Sequence, residues 1–155
     1  MADVSGISVE GLTRLEHKAA ALLRGIESPD RSLFVEVGEF MRFRIQARTA
    51  EGKDVDGKDF EPYSDAYKAY RTKTGHPSDK VNLFFTGSML SSMDFEVSRK
   101  RVDLFFQNTS DPDGVSNPMK AFFLNENRTF FSLSDDDVKG IMAIINRYYE
   151  KLIRQ

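Results

Sequence analysis

The chain has 155 residues, 40% of them hydrophobic and 30% charged, and this balance predicts one folded domain with a packed core rather than disorder. The net charge of −2 lacks the overall positive charge that is typical of a DNA-binding module. The absence of cysteine excludes disulfides and thiolate metal sites, and no apolar run approaches the roughly 20 residues that a membrane helix needs.

The N-terminal third predicts a short arm followed by two long helices. Residues 1–7 show no apolar period and no signal-peptide pattern, so we expect a flexible arm before a single domain over residues 8–155, made in a cytoplasm. Two apolar stripes at helical spacing follow, the first capped by Ser8 and the second starting at Ser28 and Pro29. The short link predicts an antiparallel helix pair. The two stripes are Leu12, Leu15, Ala19, Leu22 and Ile26, and Leu33, Val37, Phe40, Met41 and Ile45.

The middle of the chain changes from helical spacing to alternation. Ser64 is predicted to cap a short helix over residues 65–73, and Thr86 precedes a second helical turn that ends near Ser92. Residues 93–98 and 102–107 then alternate apolar and polar side chains on either side of Arg99-Lys100-Arg101. This pattern predicts a β-hairpin with one buried face and a basic turn.

The C-terminal third ends in a helix. Residues 108–118 are rich in turn formers and predict a loop, residues 119–125 fit either a helical turn or a strand, and residues 129–131 look extended. Ser134 is predicted to cap the last helix, with three aspartates at its positively polarised start. The expected fold is therefore α+β: two long N-terminal helices and a C-terminal helix packed with a small antiparallel β-sheet.

No pattern in the chain indicates catalysis. The two histidines, His17 and His76, have no nucleophile or metal ligand at a useful spacing. Residues 54–59 resemble the start of a calcium loop, but Gly57 is at position 4 rather than 6 and Asp65 takes the place of the final glutamate. The three aspartates at 135–137 could indicate a magnesium site, but the favourable placement of negative charge at a helix start explains them better. We expect no catalytic, cofactor or metal site, and hence no enzyme.

Aromatic and basic residues are the better candidates for function. The 13 phenylalanines include four adjacent pairs, at 84–85, 105–106, 122–123 and 130–131. Neighbouring side chains of a strand point to opposite faces, so either helices cover both faces or one ring of a pair contacts another subunit. Three basic clusters, at 42–48, 68–73 and 99–101, are either solvated faces or parts of a channel that touches DNA phosphates.

Three blocks of sequence carry a resemblance to a known family. They are Gly57, Phe60, Pro62 and Ser64; then Leu83, Thr86, Gly87 and Leu90; then Phe130, Phe131, Leu133, Ser134 and Asp135. In order and spacing they resemble the bacteriophage virion morphogenesis, or tail completion, family over about residues 33–150. Tyr63 stands where leucine is usual, and Ser132 where glycine is usual. Ser132 therefore predicts an ordinary extended backbone at a position where glycine would allow positive φ.

The resemblance implies a structural protein of the virion neck that completes the tail so that it joins the head. It implies a ring of identical subunits, a hexamer by tail symmetry, with tail-tube or terminator and head-connector proteins as partners and with no cofactor or membrane. A tail terminator or head-closure ring, or a dimeric regulatory DNA-binding adaptor, remains the alternative. Candidate DNA-channel residues are Arg99, Lys100 and Arg101. Candidate interface residues are Phe60, Tyr63, Leu83, Phe85, Leu90, Phe105, Phe131 and Leu133.

Overall fold

The computed structural model describes residues 9–154, with side chains from residue 16 onward. The predicted arm over residues 1–7 and the Ser8 cap lie outside this range. The described chain confirms the α+β class. Its elements are α1 Val9–Glu27, α2 Arg31–Ala50, α3 Asp65–Lys73, α4 Ser88–Ser91, β1 Met93–Ser98, β2 Arg101–Phe106, α5 Asn117–Asn127 and α6 Asp135–Arg154.

The predicted antiparallel pair of α1 and α2 is wrong, because the two helices form one long bent unit. Helix α1 packs on α6 instead: a Cβ added at Gly25 would lie 2.4 Å from Leu152. The Tyr148 hydroxyl also accepts a bond of 2.9 Å from the backbone N–H of Asp30, at the bend. Side chains of the C-terminal helix α6 therefore pack against α2, where α1 was expected to pack.

The start of α2 also differs from the prediction by two residues. Ser28 donates its N–H to the carbonyl of Arg24 and so ends α1, while Asp30 is the residue that precedes α2. Pro29 lies before the helix rather than at its first position. The Tyr148 hydroxyl meets the Asp30 N–H, and the Asp30 side chain makes no capping bond of its own.

The predicted hairpin is confirmed, with β1 and β2 paired antiparallel from Met93↔Phe106 to Ser98↔Arg101. Its turn is only Arg99 and Lys100, with Arg99 at a φ of 52°. Helix α2 lies across one face of the hairpin, where Gly38 lets the Phe95 ring approach the helix backbone. A Cβ at Gly38 would lie 2.3 Å from that ring, so the packing requires glycine here.

The buried side chains form two clusters. The larger one joins the 60–63 and 81–90 segments to β1, β2, α5 and Phe130, which is fully buried. The smaller one joins α2 to α6 through Leu33, Val37 and Ile144. The segment over 129–131, expected to be extended, forms no strand. Residues 119–125, which fitted either a helical turn or a strand, lie within α5.

Asp137 connects α6 to α2 at the edge of both clusters. Ser134 caps α6 as predicted: its hydroxyl accepts from the Asp137 N–H at 3.1 Å, and the Ser134 N–H donates to the Asp137 carboxylate at 2.9 Å. That carboxylate is fully buried and pairs with Arg44 at 2.8 Å and Arg48 at 2.5 Å. Arg48 also donates to the carbonyls of Phe130 and Ser132. Ser132 has no positive φ, in agreement with the prediction.

Candidate interaction surfaces

Four of the residues predicted to form an interface belong to the core of the single chain. Phe60, Tyr63, Leu83 and Leu90 are 6%, 8%, 9% and 9% exposed. Their side chains already pack in the larger cluster, which leaves them too little free surface to bind a second subunit. The interface prediction is corrected at these four positions.

The other four predicted interface residues differ in accessibility. Phe85 is half-buried and stacks on His76 at 4.0 Å, and Phe131 packs on Phe106 at 4.9 Å between ring centroids. Phe105 and Leu133 are 40% and 38% exposed. Phe105 lies on the face of the hairpin opposite Phe106, as alternation requires. An interface role for these four residues remains a prediction.

The three basic clusters are not equally available to a polyanion. Arg44 and Arg48 neutralise buried Asp137, and Arg71 is 2% exposed, so the clusters at 42–48 and 68–73 are largely committed within the fold. The exposed residues at 99–101 lie at the hairpin tip. There, Lys100 donates to the carbonyl of Glu27 and Arg101 pairs with Asp103 at 2.7 Å. Contact of this tip with DNA remains a prediction.

Residues 16–154 form a groove of about 1090 Å³, here called the aromatic groove. Helix α3 and the 61–64 segment form one side, α5 and the 111–115 loop form the other, and residues 83–89 form the floor. The apolar and aromatic lining is Pro62, Tyr63, Tyr67, Tyr70, Leu83, Phe85, Met89, Val115, Phe123 and Leu124.

Helical spacing aligns the tyrosines of this groove. Ser64 caps α3 by accepting the Tyr67 N–H at 3.3 Å, which confirms the predicted cap. Tyr63, Tyr67 and Tyr70 then follow at steps of four and three, so their rings lie side by side. Tyr67 meets Tyr63 at 5.0 Å edge-to-face and stacks on Tyr70 at 6.1 Å. Tyr70 stacks in turn on Phe85 at 5.9 Å, which extends the row to the floor.

Arg71 is buried beneath this row of rings. Its guanidinium carbon lies 4.8 Å from the Tyr63 ring centroid, 5.8 Å from that of Tyr67 and 5.6 Å from that of Phe85. Nε and Nη2 donate to the carbonyls of Pro77 and Phe84 at 2.6 and 2.9 Å. No carboxylate pairs with Arg71 anywhere in residues 16–154. In the sequence, Arg71 stands out only as part of a basic cluster, although Tyr67, four residues earlier on the helix, indicates an aromatic neighbour.

A second arginine, Arg128, follows the C-terminal end of α5 and lies close to the Tyr63 ring. Arg128 lies 5.8 Å from the same ring centroid and donates Nη2 to the carbonyl of Glu61 at 3.1 Å. Its Nε is buried without a partner in the described chain. Burial raises the pKa of the Tyr63 hydroxyl above its ordinary value, more than the nearby Arg71 charge lowers it. Tyr63 therefore stays a neutral ring between two cations.

The opposite wall is charged but internally paired. Lys120 binds Asp111 at 2.6 Å and Asp113 at 3.0 Å, and the Thr86 hydroxyl donates to Asp111 at 2.9 Å. The hydrogen bond from Lys120 lowers the pKa of both aspartates below their usual range. These aspartates lie in the segment that was predicted to be a loop. An isolated antiparallel β-bridge between Ser110 and Ser116 closes it.

Two further apolar surfaces lie outside the groove floor. On α5, Met119, Phe122 and Phe123 are 48%, 61% and 56% exposed; they form the α5 face. On α6, Val138, Met142 and Ile153 recur at helical spacing and are 48%, 49% and 68% exposed; they form the α6 stripe. Phe122 and Phe123 stand on a helix, so the strand argument about adjacent pairs does not apply to them. Both rings of this pair are exposed, whereas both rings of the 130–131 pair pack in the core.

These surfaces define an α+β protein with one large groove and two exposed apolar faces. Comparisons with family models, curated proteins and solved structures found no match to this chain. Within residues 9–154, none of the helices has the length and apolar character needed to cross a bilayer. The described side chains also include no group of three or more histidines and carboxylates placed to hold a metal ion.

Proposed function

We propose that this chain is a structural protein of a phage neck, which completes the tail so that it joins the head and works as a ring of identical subunits in the virion. The order of the three sequence blocks supports the family, and tail symmetry supports six copies. The observation that carries the proposal is the presence of two different exposed apolar faces. The α5 face lies on the helix that contributes Ala121 to the larger core cluster, and the α6 stripe lies on the helix that contributes Ile144 to the smaller one.

Two unlike faces on one chain suit a ring. A head-to-tail interface needs two complementary surfaces on each subunit, and repetition of such an interface closes a ring when the rotation permits. A symmetric dimer needs only one self-complementary patch. We assign the α5 face of one subunit to the α6 stripe of the next. Exposed large side chains such as Phe122, at 61%, are typical of subunit contacts.

The hairpin offers a second contact between subunits. It is a two-stranded sheet, and the outward backbone groups of β1 and β2 have no backbone partner within residues 9–154. Open strand edges are sites at which another chain can pair. The two open edges differ in sequence, because the edge of β1 carries Met93 and Val97 and the edge of β2 carries Val102 and Leu104. Pairing between copies would therefore also run head-to-tail.

A mixing experiment separates a ring from a dimer. The variants M119S/F122S and V138S/M142S each remove one face, and native mass spectrometry would report each as a monomer. Mixed together, they retain one intact interface and should form a 1:1 dimer that stops there. The control Phe43→Ser changes a side chain that is 67% exposed but outside both faces, and it should leave the ring intact. A wild-type chain that is monomeric at all concentrations, or variants that each still form dimers alone, would refute the ring.

The virion role needs its own test. Phage particles that lack this protein should accumulate as DNA-filled heads and separate tails, and adding the purified chain should join them. If the heads and tails still fail to join but the heads become closed, the head-closure alternative is favoured. If they fail to join but tails of controlled length form, the terminator alternative is favoured. Salt-sensitive DNA affinity of a stable dimer, lost on neutralising Arg99 and Arg101, would instead favour the regulatory adaptor.

A further inference from the structure

The aromatic groove contains positive charge that the chain itself does not neutralise. Arg71 is 2% exposed, and neither it nor Arg128 pairs with a carboxylate in residues 16–154. Their guanidinium carbons lie 4.8 and 5.8 Å from the same Tyr63 ring centroid, so they are at most 10.6 Å apart. Buried charges without counter-charges are costly, and folded proteins normally pair them. The contrast with Asp137, which pairs with two arginines, marks this site as incomplete.

Two guanidinium nitrogens of these arginines also lack a hydrogen-bond partner in the described chain. Arg71 uses Nε and Nη2 on backbone carbonyls, which leaves Nη1 without a partner in the described chain. The Nε of Arg128 is buried and equally unpartnered. A guanidinium binds a carboxylate with two parallel hydrogen bonds, and such charge-assisted bonds are about twice as strong as neutral ones.

We propose that the aromatic groove is a peptide-binding site for an extended segment of a partner protein, in which an acidic side chain binds Arg71 and Arg128 while apolar neighbours lie on the tyrosine row. The groove, at about 1090 Å³, exceeds the size of most single small-molecule pockets. Tyr67 and Tyr70 are 38% and 51% exposed, so they present rings on which apolar side chains can pack. This peptide-binding proposal does not depend on the assembly of subunits into a ring.

The same geometry disfavours a nucleic acid. Arg71 lines the groove but is only 2% exposed, so the bulky backbone of a duplex cannot contact it. The rim opposite carries Asp111 and Asp113, and Glu61 lies beside Arg128. These carboxylates repel a polyanion, whereas a single acidic side chain with apolar neighbours meets only the two arginines.

The experiment compares two tripeptides on the full chain, N-acetyl-Leu-Glu-Phe-amide and N-acetyl-Leu-Gln-Phe-amide, by NMR titration. The glutamate peptide should bind at least about tenfold more tightly, because only it supplies a charged acceptor. The shifts should fall on the side-chain N–H groups of Arg71 and Arg128 and on the tyrosine row. Added salt should reduce the difference between the peptides.

Variants separate binding from a purely structural role of Arg71, whose replacement endangers the fold. Arg128→Gln should reduce the preference for glutamate, and Tyr70→Ala should weaken both peptides. Phe43→Ala is the control, because Phe43 is 67% exposed and does not line the groove. Variant M119S/F122S should still prefer the glutamate peptide. Loss of subunit assembly and loss of peptide binding are therefore measured separately.

Three results would overturn the proposal. They are equal affinity for the two peptides, no binding of the glutamate peptide up to about 10 mM, and shifts that map outside the groove. Tighter binding of a short single-stranded oligonucleotide than of the glutamate peptide, with shifts in the same groove, would reassign the site to nucleic acid and equally overturn it.

Discussion

Asp137→Asn tests the buried ion cluster that joins α6 to α2. The substitution keeps the shape of the side chain but removes the charge that Arg44 and Arg48 share. It also replaces one carboxylate acceptor by an amide donor, which faces two guanidiniums that can only donate. Arg48 is 11% exposed, so its positive charge would then be left largely buried and unpaired.

The magnitude follows from the geometry and from the pKa of Asp137. Burial would raise this pKa, but the Ser134 N–H and the two arginines outweigh burial and hold it at about 2, against an ordinary 3.8. That difference corresponds to about 2 kcal/mol of stability at neutral pH. Breaking a buried pair from one side typically costs more, about 3 to 5 kcal/mol, because the partner charge remains. We expect a loss of this size and a fall in Tm of about 6 to 20 °C.

The pH dependence gives a second signature of the same cluster. The folded-state pKa is below the unfolded value, so the stabilisation is fully present above about pH 4 and is lost as the pH falls toward 2. Wild-type stability should therefore decline through this window more steeply than that of Asp137→Asn. Other carboxylates contribute equally to both proteins and cancel in the difference.

Urea unfolding followed by circular dichroism, from pH 2 to pH 7, measures both effects. The matched control is Asp136→Asn, one residue earlier, whose exposed side chain pairs only with exposed Lys139. It should leave the free energy of unfolding almost unchanged, because exposed ion pairs contribute little. The reasoning fails if Asp137→Asn lies within 1 kcal/mol of wild type at pH 7, or if both variants shift equally.

Three further substitutions have defined outcomes in the same unfolding assay. Gly38→Ala places a Cβ 2.3 Å from the Phe95 ring and should cost about 1 to 3 kcal/mol, recovered in part by adding Phe95→Leu; a neutral Gly38→Ala would contradict the close packing. Ser64→Ala removes the α3 cap and should cost about 1 kcal/mol, with faster hydrogen exchange at the start of α3; unchanged exchange would count against the cap. Arg48→Met should destabilise more than Arg44→Met, because their side chains are 11% and 44% exposed; the reverse order would contradict the assigned roles.

Local sequence patterns predicted most of the elements. The apolar spacing of α2 and α6 and the alternation of β1 and β2 each arise from one element meeting one core face, so a short window of sequence contains the signal. Ser64 and Ser134 marked helix starts because capping bonds join residues only three apart. The sequence left residues 119–125 undecided between a helical turn and a strand, because Phe122 and Phe123 are exposed and show no inward period.

The candidate sites were less predictable, since they depend on contacts between distant residues. The row of tyrosines was visible as a cluster near Phe60, but its relation to Phe85 and Arg128 arises only from the packing of α3, α5 and the 83–89 segment. The burial of Phe60 and Leu90 likewise depends on long-range packing. Both side chains lie in the larger buried cluster, which joins segments far apart in the chain.

By itself, the sequence determined the α+β class, the Ser64 and Ser134 caps, the presence of the hairpin and the lack of cysteine chemistry, because each depends on neighbouring residues or on composition. Only the tertiary structure decided which charges are paired. Asp137 and Arg71 look equally ordinary in charged stretches, yet both are buried, one between two arginines and the other without a carboxylate. The physical reason is that burial and pairing of a charge are set by residues far away in the chain, which no local period records.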